Sequence, residues 1–194
     1  AMNQQKSLTF EDYHAPTERW FEYSIYPSPE GISIYFHDIT RRKNAEFGIR
    51  VMNRALRTLS ECNQALVHAQ DEPTLLNEIC RILVEHGGYR TAWVGYALTD
   101  ENKTIQPIAQ IGAEPGYIES LNLSWADNES GSGPTGMAIR TGRPVAAQDI
   151  STHPSYALWR EAARKHDYAS LAALPLKQDH QVLGALVVCS SATD

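Results

Sequence analysis

The side chains able to do chemistry are few and scattered. The cysteines are Cys62, Cys80 and Cys189, and none forms a Cys-x-x-Cys pair. An odd, dispersed set fits neither a disulfide framework nor a structural zinc site. They read as small apolar residues of a reduced, cytoplasmic protein. His153 and His166 are available as axial haem ligands, but each stands alone, which is the mark of a surface histidine. His180 falls on a turn and reads as a solvated residue. Gly131-Ser-Gly-Pro-Thr-Gly136 has the glycines of a phosphate loop without the Lys-Ser/Thr ending. No paired-carboxylate, Ser-His-Asp or zinc-helix pattern is present, so neither catalytic nor metal-ligating residues are assigned. The chemistry left open is binding.

Composition narrows the classes further. The chain has 194 residues with 42% apolar and 21% charged side chains, enough for one full domain and part of another. A net charge of −6 disfavours a nucleic-acid binder, which would carry a basic face. No stretch approaches the roughly 20 apolar residues of a membrane helix. Ala1-Met2 reads as a short cloning remnant.

The elements that must position any site begin with two runs rich in aromatic and branched residues, Trp20 to Tyr26 and Ile32 to His37. A Pro-Ser-Pro-Glu-Gly turn separates them, and together they predict an antiparallel hairpin. A hairpin alone is marginal in water. No further strand is predicted before it, so the hairpin reads as the end of a domain whose front is absent. Thr40 is a plausible N-cap for the helix that follows. A strand with Trp, a Pro-Gly turn, and a second strand entering Asp38-Ile39-Thr40-Arg41-Arg42-Lys43 resembles the C-terminal end of PAS domains. In that family the Asp and Thr help couple the sheet to the outgoing helix.

From Arg41 to about Gln70 there is no proline, and the segment predicts one long helix. Ile49, Leu56 and Asn63 fall on position a of a heptad; Ala45, Met52, Leu59 and Leu66 fall on d. This is the seam of a two-stranded coiled coil, and an Asn at position a fixes register. The alternative is an amphipathic helix packed on its own domain, and the two arrangements can hold at different ends.

Asp71-Glu72-Pro73 ends that helix. A second helix is predicted over Thr74 to His86, closed by Gly87-Gly88. Strands follow over Thr91 to Leu98 and Thr104 to Ile111. Residues 115–121 read as a short helix or turn, Thr135 to Arg140 as a helix, Pro144 to Ala147 as a strand, and Ser155 to His166 as a helix. Ser170 to Lys177 and Gln181 to Ser190 close as an antiparallel pair. The order resembles the GAF family. The resemblance is carried by Gly133-Pro-Thr-Gly136-Met-Ala138, Thr141-Gly142-Arg-Pro144-Val145, Asp149, His153-Pro154, Leu174-Pro175-Leu176 and Val182-Leu183-Gly184-Ala185-Leu186.

The fold expected is therefore α+β: a GAF-like antiparallel β-sheet flanked by helices, preceded by a PAS-type β-hairpin and a long helix. The domains would be a PAS remnant over 1–40, a signalling helix over 41–70 and a GAF domain over 71–194, with the helix at 55–70 shared. The family's final helix is missing by Asp194. In such architectures the chain continues into a histidine kinase or diguanylate cyclase.

The resemblance places a small-molecule site between the sheet and the middle segment. Trp93, Tyr96, Trp125, Asp149, Trp159 and Tyr168 are its candidate lining; aromatic walls with a few polar groups suit such a site. Asp149 could equally cap a turn. The ligand and any cofactor are undetermined. The Asn-Lys-Phe-Asp-Glu set of cyclic-nucleotide members cannot be placed, and no cysteine lies between Gly87 and Val188 for a covalent bilin. The cysteines do not fall in loops as in the reductases of the family. The function implied is a sensor module of a signal-transduction protein, not itself an enzyme, that relays a ligand's effect through a homodimeric helix. The alternative is a ligand-free relay.

Overall fold

The computed structural model describes residues 6–179 and 181–193; Ala1-Met2 and His180 lie outside them. The chain divides between Arg54 and Ala55 into two compact units.

The first unit is an antiparallel sheet of order β1-β2-β3, formed by β1 (Leu8–His14), β2 (Arg19–Ser28) and β3 (Gly31–Asp38). The hairpin is as the sequence pattern predicts, but the expectation of no preceding strand is wrong. Residues Leu8–His14 pair with β2 along their length, from Leu8↔Ile25 to His14↔Arg19. The acidic Glu11-Asp12 pair hides β1 from an alternation test. Cross-strand partners carry it instead: Phe10 stacks on Tyr23 at 5.2 Å between ring centroids. Phe10, Tyr23 and Phe36 lie opposite one another on one face of the sheet.

The other face receives the start of α1 (Thr40–His68). Glu11 there pairs with Arg42 at 2.7 Å and with Lys43, and the Lys43 ammonium sits 5.3 Å from the centroid of the Trp20 ring. Thr40 does not cap the helix as expected. Its hydroxyl accepts the backbone N–H of Trp20 at 3.0 Å, and its own N–H donates to Asp38 Oδ1 at 2.9 Å. Asp38 also pairs with Arg19 at 3.1 Å. These bonds fix the sheet to the first turn of the helix, which takes Thr40 away from its capping role.

The second unit begins within α1 and continues through α2 (Glu72–Glu85), whose N-cap Asp71 accepts the Thr74 N–H at 2.8 Å. Its sheet has five antiparallel strands in the order β5-β4-β8-β7-β6. They are β4 (Thr91–Ala97), β5 (Ile105–Ile111), β6 (Val145–Ala147), β7 (Ser170–Gln178) and β8 (Gln181–Ser190). Asp179 takes a positive φ of 53° in the tight turn between β7 and β8.

Side-chain alternation splits this sheet into two cores. Ala92, Val94, Ala109 and Val188 pack with Cys80 of α2. Trp93, Leu171, Ala173, Ala185, Val187 and Cys189 face the opposite way. That second side is covered by α3 (Tyr117–Ser120), α4 (Pro134–Thr141), a 3-10 turn (Pro154–Trp159) and α5 (Arg160–Lys165). The helix expected over Ser155 to His166 is thus a 3-10 turn followed by a short α-helix. Three residues per turn align positions i and i+3, which sends both Tyr156 and Trp159 inward.

Candidate functional site

The enclosed cavity of the second unit lies between the sheet and its α3–α4–α5 cover. Trp93 enters from β4, where odd positions face this side: Thr91 and Trp93 point in, Ala92 and Val94 point to α2. Tyr117 comes from α3, Tyr156 and Trp159 from the 3-10 turn, Tyr168 from the segment before β7, and Cys189 from β8. The glycine-marked start of α4, Gly133 to Gly136, closes the fourth wall.

Trp159 is fixed at two points. Its Nε1–H donates to the Leu121 carbonyl at 3.1 Å, and its ring crosses directly over Gly133. The 3-10 turn carrying it is anchored beyond by Arg160, whose Nε and Nη2 donate to the carbonyls of Ile150 at 3.4 Å and His153 at 3.2 Å. Tyr168 Oη pairs with Thr91 Oγ1 at 2.8 Å. Tyr117 meets His166 at a tilt, 4.0 Å between centroids, and Tyr168 edge-on, at 5.8 Å.

The site is buried and largely apolar. Burial raises the pKa of Tyr117, Tyr156 and Tyr168, so all three phenols stay protonated donors. Burial likewise pushes the Cys189 thiol up to about 12, far from the thiolate a nucleophile needs. Tyr117 is only 8% exposed, and its hydroxyl is buried without a hydrogen-bond partner. The cavity volume is about 20 Å³. That is room for one water, which needs ~10–15 Å³, whereas ligand sites commonly measure ~300–1,000 Å³.

Of the six lining residues the sequence suggests, the structure brings Trp93, Trp159 and Tyr168 together on this cavity. Tyr96 is two residues from Val94 and shares its side of the sheet; its hydroxyl donates to Glu72 at the start of α2. Trp125 packs at the periphery, its Nε1–H on the Leu98 carbonyl at 2.8 Å and the Lys103 ammonium 4.7 Å from its ring centroid. Asp149 takes its alternative role: it closes a turn by accepting the Ser151 N–H and hydroxyl and the Thr152 hydroxyl, which lower its pKa. The sequence pattern does not single out Tyr117 or Cys189. The alternation of β8 marks Cys189, which shares the parity of Ala185 and Val187. Tyr117, in a four-residue helix, has no periodic signal.

The heptad residues lie along α1. Ile49, Met52, Leu56, Leu59 and Leu66 are all more than half exposed, and Asn63 is exposed among them. In the second unit a different stripe of the helix, Thr58, Cys62 and Ala65, is the half-buried one. The heptad face and the half-buried face are therefore separate.

Solved structures with this fold include the A. aeolicus nlh2 GAF domain in an inactive state, with 17% identity, a TM-score of 0.58, and coverage of 74% of this chain and 83% of that one. The GAF domain of a phosphoenolpyruvate-protein phosphotransferase from Coxiella burnetii has 21% identity, a TM-score of 0.61 and coverage of 74% and 81%. The free methionine-R-sulfoxide reductase of Neisseria meningitidis, in complex with its substrate, has 19% identity, a TM-score of 0.57 and coverage of 73% and 77%. At these identities the likeness is one of fold. A search of curated proteins returns no match. The family model for the GAF domain matches residues 69–194, about two-thirds of the sequence, and the chain belongs to the GAF family.

Proposed function

We propose that the second unit is a regulatory sensor that binds a small molecule in the cavity between Trp93 and Trp159, and that α1 carries the response through a homodimer. The observation that carries this reading is the Tyr117 hydroxyl. It is buried on the cavity wall with no partner. An unpaired buried hydroxyl costs about 1–3 kcal/mol, which a ligand with a complementary group recovers.

The cavity is closed around a volume of about 20 Å³, so binding requires the 3-10 turn to lift Tyr156 and Trp159 outward. A ligand shifts such an open–closed equilibrium only by its preference for one state. The sheet offers a route to the helices: Trp93 faces the cavity, while its neighbours Ala92 and Val94 pack with Cys80 on α2. The exposed heptad face of α1 supplies the dimer seam, with Asn63 setting the register. The first unit is read as the closing part of a PAS domain, coupled to α1 through Asp38 and Thr40. A histidine kinase or diguanylate cyclase suits as the output of such a relay, since both work as dimers.

A second reading is a relay with no ligand, and the small cavity favours it. A reductase role is disfavoured by the raised Cys189 pKa and by the placement of Cys80 in the other core, across the sheet. Native mass spectrometry of protein purified from cells without denaturation separates the first two readings. A retained small molecule, lost in Trp159→Ala, is the expected result. A mass equal to the chain alone, together with no thermal shift against a broad small-molecule library, would establish the ligand-free relay.

A further inference from the structure

Resting on the reading of the cavity as a ligand site, we infer that it selects uncharged aromatic molecules bearing a hydrogen-bond acceptor, such as an aryl ketone, aldehyde or amide, with that acceptor on Tyr117 Oη. The inference starts from what the wall lacks. No Asp, Glu, Lys, Arg or His lines the cavity among the described residues. A charge moved into such a space finds no counter-charge, and an unpaired buried ion costs several kcal/mol.

The cations nearby in sequence are already committed. Arg140, on α4, turns its Nη1 to the carbonyls of Ala126 and Gly131, each at 2.7 Å. Arg160 is held by the carbonyls of Ile150 and His153. The first turn of α4 is a weak anion site as well. Pro134 has no N–H, and the Met137 N–H is bonded to the Gly133 carbonyl at 3.0 Å.

Several of the polar groups that line the cavity already have partners. Ser124 Oγ donates to the Asn102 carbonyl at 2.8 Å and accepts the Ala126 N–H at 3.0 Å. Ser130 Oγ donates to Asn128 Oδ1 at 3.0 Å. Tyr168 is paired with Thr91, and Trp159 with the Leu121 carbonyl. Tyr156 Oη and Thr135 Oγ1 carry no hydrogen bond, but among the described lining groups Tyr117 Oη is the one that is fully buried without a partner, and it is protonated. The rings of Trp93, Tyr156 and Trp159 around it favour a flat, π-rich body. A neutral aromatic with an acceptor matches both halves of the wall.

The test uses three probes of nearly one shape: acetophenone (neutral, with acceptor), benzoate (charged) and ethylbenzene (neutral, no acceptor). Each is titrated calorimetrically into the full chain and into Tyr117→Phe. Acetophenone is expected to bind saturably with a Kd at least tenfold below those of benzoate and ethylbenzene. Tyr117→Phe should bring the acetophenone and ethylbenzene Kd values to within about twofold and leave ethylbenzene unchanged. Benzoate or ethylbenzene binding as tightly as acetophenone to the unaltered chain overturns the ligand class and leaves the cavity reading standing. So does an acetophenone preference that survives in Tyr117→Phe. Failure of all three to bind also overturns the class, and the native mass spectrum then decides the cavity reading by itself.

Discussion

Trp159 lies so closely over Gly133 that a β-carbon on the glycine would come within 2.5 Å of the indole ring. The glycine of the α4 start and the tryptophan of the 3-10 turn are a matched pair, and the cavity cover closes only because residue 133 has no side chain. Gly133→Ala should therefore destabilise the second unit by about 1–3 kcal/mol, as overpacking does. Urea unfolding followed by tryptophan fluorescence measures it. The fluorescence of the folded variant should also shift to the red, because Trp159 is displaced toward solvent.

Trp159→Phe removes the Nε1–H that holds Leu121 and also the outer edge of the indole that covers Gly133. The loss is expected to exceed the roughly 1 kcal/mol of an ordinary hydrogen bond, because buried ring packing is lost with it. Amide exchange should quicken over residues 154–159 and 117–121 and stay unchanged in β4 and β8.

The cysteines should separate by reactivity and by pH. Cys62 is half-buried, while Cys80 and Cys189 are buried with thiols pushed up to about 12. With Ellman's reagent at pH 8, Cys62 should react first and the other two only after unfolding. For these acids a raised folded pKa means that the folded state holds the proton longer. Stability from this source is complete below the ordinary thiol value of 9.0 and is lost as pH rises from there toward 12. The melting temperature should fall across that window, and less steeply in Cys189→Ala.

The exposed heptad face predicts a dimer that breaks when charged. Leu56→Asp combined with Leu59→Asp should sediment as a monomer, with the circular dichroism of the GAF unit retained. Leu59→Cys, at position d, should form an intermolecular disulfide under mild oxidation if the helices are parallel. A double-Asp variant that remains dimeric would remove the seam.

Thr40→Val leaves the Trp20 N–H without its acceptor. The first unit should lose about 0.5–1.5 kcal/mol, the net worth of an ordinary hydrogen bond, at this half-buried site. Hydrogen exchange at Trp20 and Lys43 reports it, because both amides belong to the junction of β2, β3 and α1.

Much of this architecture was legible in the sequence. The hairpin around Pro27–Gly31, the Asp38-Ile39-Thr40 exit and the closing β7–β8 pair all have strong local signals, and the α+β class followed from their order. β1 was not legible, because Glu11 and Asp12 interrupt its apolar run; Glu11 is there for Arg42 and Lys43, partners distant in sequence. The site was legible in part. Strand alternation selects Trp93 over Tyr96 once the inward face is known, but the face itself depends on where α2 docks. Asp149 and Trp125 sit in loops, where no period says which way a side chain turns. Tyr117 was hidden for the same reason, and its unpaired hydroxyl exists only in three dimensions.

The most direct measurement is a crystal structure of the protein purified from cells without denaturation, read at the space between Trp93, Tyr117 and Trp159. Electron density for an uncharged molecule within hydrogen-bond distance of Tyr117 Oη, with Trp159 moved off Gly133, is the expected result. Side chains packed to a cavity of about 20 Å³, holding at most one water, in protein that sediments as a dimer, would contradict the ligand-sensing reading.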